Sequence, residues 1–139
     1  MKLGHVHIKI SDLKRAEEFY TKLLGFKVTE RVGDHYVFLT LGKAHHDLAL
    51  QNVGEGAPKP EPHAIGLYHV AYEAESESQL KSIYEKLKQQ KIKTYPVDHG
   101  ISKALYFSDP DGNGIEVYLD TRDRRKLWRG IDEPSGLVF

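Results

Sequence analysis

An internal repeat constrains this chain more than any other feature. At a displacement of 64 residues, His5-Val6 falls on His69-Val70, Tyr20 on Tyr84, Lys22-Leu23 on Lys86-Leu87 and Lys27 on Lys91, with no gap. Phe19 on Ile83 and Val28 on Ile92 add apolar-to-apolar matches. A repeat of this period is one supersecondary unit used twice. Matching residues should then occupy matching places in the two copies.

Each copy has the same local pattern. Val6, Ile8 and Ile10 alternate with His5, His7 and Lys9, the period of a strand with one buried face. Ser11-Asp12 supplies short side-chain oxygens that can accept the free amide hydrogens of a first helical turn. Leu13, Ala16, Phe19, Tyr20, Leu23 and Leu24 then share one helical face, and Gly25 can end the helix in a left-handed turn. In the second copy Val70 and Tyr72 lie in a strand, Ser76 with Gln79 resembles a capping box, and Leu80, Ile83, Tyr84 and Leu87 form the stripe. Strand-like runs follow at 27–31, 35–41 and 46–52, and again at 93–97, 103–107 and 114–119. The unit is βαβββ, twice. We expect a single α+β domain, with module 1 over 3–53, a connector over 54–66, module 2 over 67–120 and a polar tail over 121–139. Two glycines and three prolines between 54 and 62 mark the connector.

Composition narrows the chemistry. Twenty acidic and twenty basic residues cancel, which gives no electrostatic case for nucleic acid or an anionic membrane. No apolar run is long enough to span a bilayer, and no signal-peptide core is visible, so the expected location is cytoplasmic. With no cysteine in the chain, thiolate ligands and thiol nucleophiles are excluded. There is no Gly-x-Gly-x-x-Gly, P-loop or Gly-x-Ser-x-Gly. The turn Asp109-Pro110-Asp111-Gly112-Asn113-Gly114 lacks the ligand register of an EF-hand.

Eight histidines remain, and any metal must be held by imidazole and oxygen. His5 and His69 are one repeat position used twice. Glu116, inside the strand-like Gly114-Ile115-Glu116-Val117-Tyr118, could complete a two-His-one-carboxylate set, which leaves coordination positions open. A carboxylate buried in a sheet calls for a cation partner, whereas the same residue on an outward face would be ordinary. His7, His35 and His63 are read as structural or surface residues, and His45 is left undecided.

These residues resemble the vicinal oxygen chelate superfamily, which includes glyoxalase I, bleomycin and fosfomycin resistance proteins and type I extradiol dioxygenases. The resemblance spans about residues 3 to 120. It rests on Gly4-His5-Val6, Ser11-Asp12-Leu13, Phe19-Tyr20 and Leu24-Gly25-Phe26, on Tyr68-His69-Val70-Ala71-Tyr72, and on Ser108-Asp109-Pro110-Asp111-Gly112-Asn113-Gly114-Ile115-Glu116. It implies paired βαβββ units forming a half-open barrel around a divalent metal held by His5, His69 and Glu116. Within the superfamily, His46-Asp47-Leu48-Ala49-Leu50 and His99-Gly100-Ile101-Ser102 with Ala104-Leu105-Tyr106 resemble the extradiol dioxygenases. That likeness implies His46 as an acid–base residue and His99 and Tyr106 beside the substrate. Apart from it, His46 could simply partner His45, and Tyr106 could be a core aromatic.

The implied activity is ring opening of a catechol by O2 with Fe(II). The ligand set also suits Mn(II), Ni(II), Co(II) or Zn(II). The familiar extradiol enzymes have four such units, so this chain is read as a minimal form completed as a homodimer. Glyoxalase I normally adds a glutamate from the last strand of the first unit; here that strand offers Asp47 instead. Glyoxalase- or epimerase-like chemistry, fosfomycin-type thiol transfer and non-enzymatic drug binding of the bleomycin-resistance type are the alternatives. Arg124, Arg125, Trp128 and Arg129 could form a C-terminal lid, although a solvated basic tail is the simpler reading.

Overall fold

The computed structural model describes residues 1–61, 63–124 and 127–128. Two compact units divide them. One is Met1–Gly66 together with Asp109–Asn113; the other is Leu67–Ser108 with the chain from Gly114 onward.

The first unit runs β1 (Val6–Ile10), α1 (Leu13–Leu24), β2 (Lys27–Val32), β3 (Tyr36–Thr40) and β4 (Leu48–Asn52). Its sheet has the order β1-β4-β3-β2. β1 and β4 are parallel, and the other pairs are antiparallel. The second unit repeats this with β5 (Val70–Glu73), α2 (Glu77–Gln89), β6 (Tyr95–Asp98), β7 (Ser102–Ser108) and β8 (Gly114–Asp120), in the order β5-β8-β7-β6. The predicted α+β class and the duplicated βαβββ unit are therefore what the chain forms.

The local signals operate as the sequence suggests. Asp12 accepts a hydrogen bond from the Arg15 amide (2.9 Å), and Gly25 ends α1 at φ 80°. Ser76 caps α2 by accepting from the Gln79 amide, while Gln79 Oε1 accepts from the Glu75 amide (2.7 Å). The second helix stops without glycine, and Lys91 takes the left-handed conformation instead (φ 56°). The α1 stripe buries Ala16, Phe19, Tyr20 and Leu23 over β3 and β4. The α2 stripe buries Leu80, Ile83 and Leu87 and packs on β8. Each large apolar side chain so removed from water contributes about 1.5–3 kcal/mol.

Several expected strand limits move. The fourth strand starts at Leu48, so His46 sits in the preceding loop. The sixth starts at Tyr95, so Lys93 and Thr94 lie outside it. His5 and His69 each stand one residue before a strand, at equivalent places in the two units.

The loop Asp109–Asn113 is organised by a buried carboxylate. Asp109 Oδ1 accepts from the amides of Asp111 (2.9 Å) and Asn113 (2.8 Å), and Oδ2 from Asn113 Nδ2 (2.8 Å) and the Tyr20 hydroxyl (3.0 Å). Asp111 accepts from the Ser11 amide and hydroxyl and pairs with Arg15 (3.2 Å). Burial opposes ionisation of Asp111. The Ser11 hydrogen bonds and the Arg15 charge overcome it and hold the carboxyl below its usual range. The turn thus carries more structure than its glycine and proline alone indicate.

Candidate metal centre and proton-handling residues

In the second unit, strand alternation decides the chemistry. Ile115, Val117 and Leu119 of β8 are buried, while Glu116 and Tyr118 project from the opposite face. Tyr106 pairs directly with Glu116 across the β7–β8 ladder and so shares that face. The Tyr106 hydroxyl donates to Glu116 Oε1 at 2.9 Å. Having spent its hydrogen there, the phenol oxygen accepts from His99 Nε2 at 2.8 Å. The other carboxylate oxygen, Oε2, stands 2.9 Å from His69 Nε2. Four predicted site residues therefore form one chain: His99, Tyr106, Glu116, His69.

The Glu116 side chain is only 13% exposed, so this is not a solvent-facing strand carboxylate. His99 is buried. Burial, followed by the hydrogen bond to Glu116 and that carboxylate's charge, raises the Tyr106 pKa well above the ordinary phenol value. The phenol stays a donor throughout the physiological range.

His69 and Glu116 fit a cation. Two ligand atoms about 2.1 Å from one ion and at right angles stand about 3 Å apart, and the observed separation is 2.9 Å. His69 Nδ1 is buried without a hydrogen-bond partner among the described residues. Among the described residues, no group of three His, Asp or Glu side chains is gathered as a complete cage. His5, the third predicted ligand, belongs to the first unit.

Gly114 holds this edge in place, a role the sequence reading missed. A Cβ there would meet the Tyr68 carbonyl oxygen at 2.1 Å and the His69 Cα at 3.2 Å. Only glycine lets β8 approach the segment that carries His69.

In the first unit the His5 and His46 rings lie with centroids 4.4 Å apart, and Phe38 stands 4.9 Å from His46. Burial, then the nearby His5 and His45, lowers the His46 pKa below the usual imidazole value. His46 is thus neutral at pH 7 and able to accept a proton. It does partner His45, with Nδ1 atoms 2.8 Å apart. His7, His35 and His63 are exposed, as expected of surface residues.

The registers show which positions correspond. His7 pairs with Ala49 in the first unit, and Ala71 pairs with Glu116 in the second. His7 and Ala71 are repeat partners, so Ala49 is the counterpart of Glu116. By the same logic Phe38, opposite Ala49, is the counterpart of Tyr106. The nearby Asp47 is occupied elsewhere: its Oδ2 accepts from the Thr40 hydroxyl (2.9 Å) and the Leu41 amide (2.8 Å). Of the suggested lid, Arg124 pairs with Asp123 (3.4 Å) and Trp128 is largely exposed, while Arg125 and Arg129 lie outside the described residues.

Comparison with known proteins fits this arrangement. Residues 2–117 match the Glyoxalase/Bleomycin resistance protein/Dioxygenase superfamily. The chain is 32% identical over 120 residues to biphenyl-2,3-diol 1,2-dioxygenase 2 of Rhodococcus globerulus, covering 86% of this chain and 63% of that one. It is 35% identical over 127 residues to the catechol-2,3-dioxygenase of Bacillus subtilis, covering 91% of this chain and 44% of that one. It thus spans between 44% and 63% of these two dioxygenases. It is 30% identical over 131 residues to the metallothiol transferase FosB of Staphylococcus epidermidis, covering 91% and 88%. A glyoxalase/bleomycin resistance protein/dioxygenase domain from Frankia superposes with a TM-score of 0.75 at 22% identity, over 86% of this chain and 98% of that one. No helix among the described residues is long and apolar enough to cross a membrane. With the duplicated βαβββ frame, the paired His69 and Glu116 and a family match over residues 2–117 in agreement, the chain belongs to the glyoxalase/bleomycin resistance/dioxygenase superfamily.

Proposed function

We propose that this chain is a metal-dependent extradiol dioxygenase that opens a catecholic ring with O2, using His5, His69 and Glu116 as ligands. The observation that carries the reading is the Tyr106 hydroxyl, bonded at once to Glu116 Oε1 (2.9 Å) and His99 Nε2 (2.8 Å). A bare metal clamp needs neither group. A reaction that moves protons on and off substrate oxygens beside a metal needs both. The alanine at position 49 supports it, because a second carboxylate there would offer another ligand where two substrate oxygens and O2 need room.

A divalent ion, Fe(II) in this reading, would supply adjacent coordination positions for both reactants. The chain's own residues do the rest. His46, neutral at pH 7, takes a catechol proton. Tyr106 keeps its hydrogen and directs it at an oxygen, while His99 supports the phenol oxygen from behind. The expected partners are a small aromatic diol and O2, with the protein acting as a homodimer in the cytoplasm.

The test is to load the protein anaerobically with Fe(II), then admit air over a panel of catechols. A yellow ring-opened product is expected, and none across the panel would overturn the reading. A second reading, metal-assisted thiol transfer, is favoured by length, since the FosB relative is covered over 88% of its own chain. It predicts metal-dependent consumption of a thiol with an electrophile and no oxygen uptake.

A further inference from the structure

In the first unit a short polar chain runs from His46 to the sheet edge. His46 Nδ1 lies 2.8 Å from His45 Nδ1, and His45 Nε2 lies 3.1 Å from Glu30 Oε2. An ionised carboxylate only accepts, so the His45 nitrogen facing it carries the hydrogen. A neutral imidazole has one such hydrogen, which makes His45 Nδ1 an acceptor. The hydrogen between the two Nδ1 atoms then belongs to His46, and His46 Nε2 is left with its lone pair. We infer that Glu30 and His45 are positioning residues that fix His46 as its Nδ1–H tautomer and so make Nε2 its proton-accepting nitrogen. The catalytic part of this inference rests on the acid–base role proposed above for His46.

The backbone gives a second, independent reason. The β2–β3 ladder slips by one residue: Val28 lies opposite Leu39, yet Glu30 lies opposite Phe38. Without the extra residue at Thr29, Glu30 would oppose Val37, which is fully buried on the other face. A slip of one residue exchanges the two faces of a strand, and a bulge is the device that re-aims a side chain. Here it places Glu30 on the face of Phe38, whose ring stands 5.8 Å from His45 and 4.9 Å from His46. The His45 and Glu30 side chains are 58% and 54% exposed, so their pairing adds little to stability. Its effect falls on which nitrogen of His46 holds the proton.

Histidine-labelled, metal-free protein at about pH 8, where free imidazoles are neutral, allows a direct reading. Long-range proton–nitrogen correlation NMR distinguishes protonated from unprotonated ring nitrogens. Wild-type His46 should be protonated at Nδ1. In Glu30→Gln and His45→Phe the tautomer ratio should move about threefold to tenfold towards Nε2–H, as expected when a charge-assisted hydrogen bond is removed. An Nε2–H wild-type His46, or a ratio that neither substitution moves, would overturn the inference. In iron-loaded protein, His45→Phe should lower kcat for a catechol about tenfold with KM and metal content unchanged. The tautomer measurement decides this proposal on its own, whereas a wild-type protein without catechol turnover would count against the ring-cleavage reading alone.

Discussion

The two units share strand order and the registers of their parallel and central antiparallel ladders but divide the chemistry unequally. Where the second unit has Tyr106 opposite Glu116, the first has Phe38 opposite Ala49. The loop between β3 and β4 in the first unit is mostly exposed and carries His45 and His46. The loop between β7 and β8, which packs as part of the first unit, is built on the buried Asp109 and bonded to Ser11, Arg15 and Tyr20. A duplicated frame fixes where residues stand, and the differences at matched positions determine what the frame can do. One copy keeps a carboxylate and its phenol; the other keeps a histidine pair and an apolar wall.

The carboxylate is where the two units differ most. Glu116→Ala removes the anionic ligand and should weaken divalent-metal binding by more than about 100-fold, beyond the usual cost of losing a residue that only supports a ligand. Isothermal titration with Mn(II) or Fe(II) under argon measures it. The converse substitution, Ala49→Glu, should retain or tighten metal binding while abolishing oxygen chemistry, since it makes the first unit resemble the second at the position that must stay open. Turnover unchanged in Ala49→Glu would mean that position 49 does not face the metal.

Tyr106→Phe makes the second unit resemble the first at the matched position. It should leave metal content intact and lower kcat about 100-fold, within the range for a positioned proton donor. Steady-state kinetics with metal analysis on the same sample separates the two effects. Gly114→Ala forces the Tyr68 carbonyl to move and should cost about 1–3 kcal/mol of stability, read as a lowered midpoint in urea unfolding.

The smallest effect concerns the loop. The Asp111 pKa in the folded protein is below its unfolded value of about 3.9, so its stabilising contribution is present above that pH. It is lost as pH falls through the lower folded value. Asp111→Asn should therefore destabilise the protein at neutral pH by about 1–2 kcal/mol, and the difference from wild type should shrink below about pH 4. Urea midpoints between pH 3 and pH 7 would show it.

Much of the frame was legible because it rests on local rules. The alternation in Val6, Ile8 and Ile10, the stripes beginning at Ala16 and Leu80, and the caps at Asp12 and Ser76 all act within a few residues. The two histidine positions were visible because the repeat keeps one offset of 64 through the first strand and helix. That offset becomes 68 at Phe38 and Tyr106 and 67 at Ala49 and Glu116, because the later loops differ in length. The correspondence of alanine and glutamate was therefore hidden, although aligning the third and fourth strands separately would reveal it. Glu30 was missed because a bulge reverses the face that alternation assigns to it. Gly114 looked like a turn glycine because its constraint comes from the Tyr68 carbonyl, 46 positions earlier in the chain.

An oxygen electrode on the Fe(II)-loaded protein tests the central claim most directly, with wild type, His5→Ala and Glu116→Ala measured beside one another on the same catechol. Wild type should consume one O2 per catechol opened, and both substitutions should abolish iron binding and uptake together. Wild type that holds iron yet consumes no oxygen with any catechol, or His5→Ala that retains both iron and uptake, would contradict it.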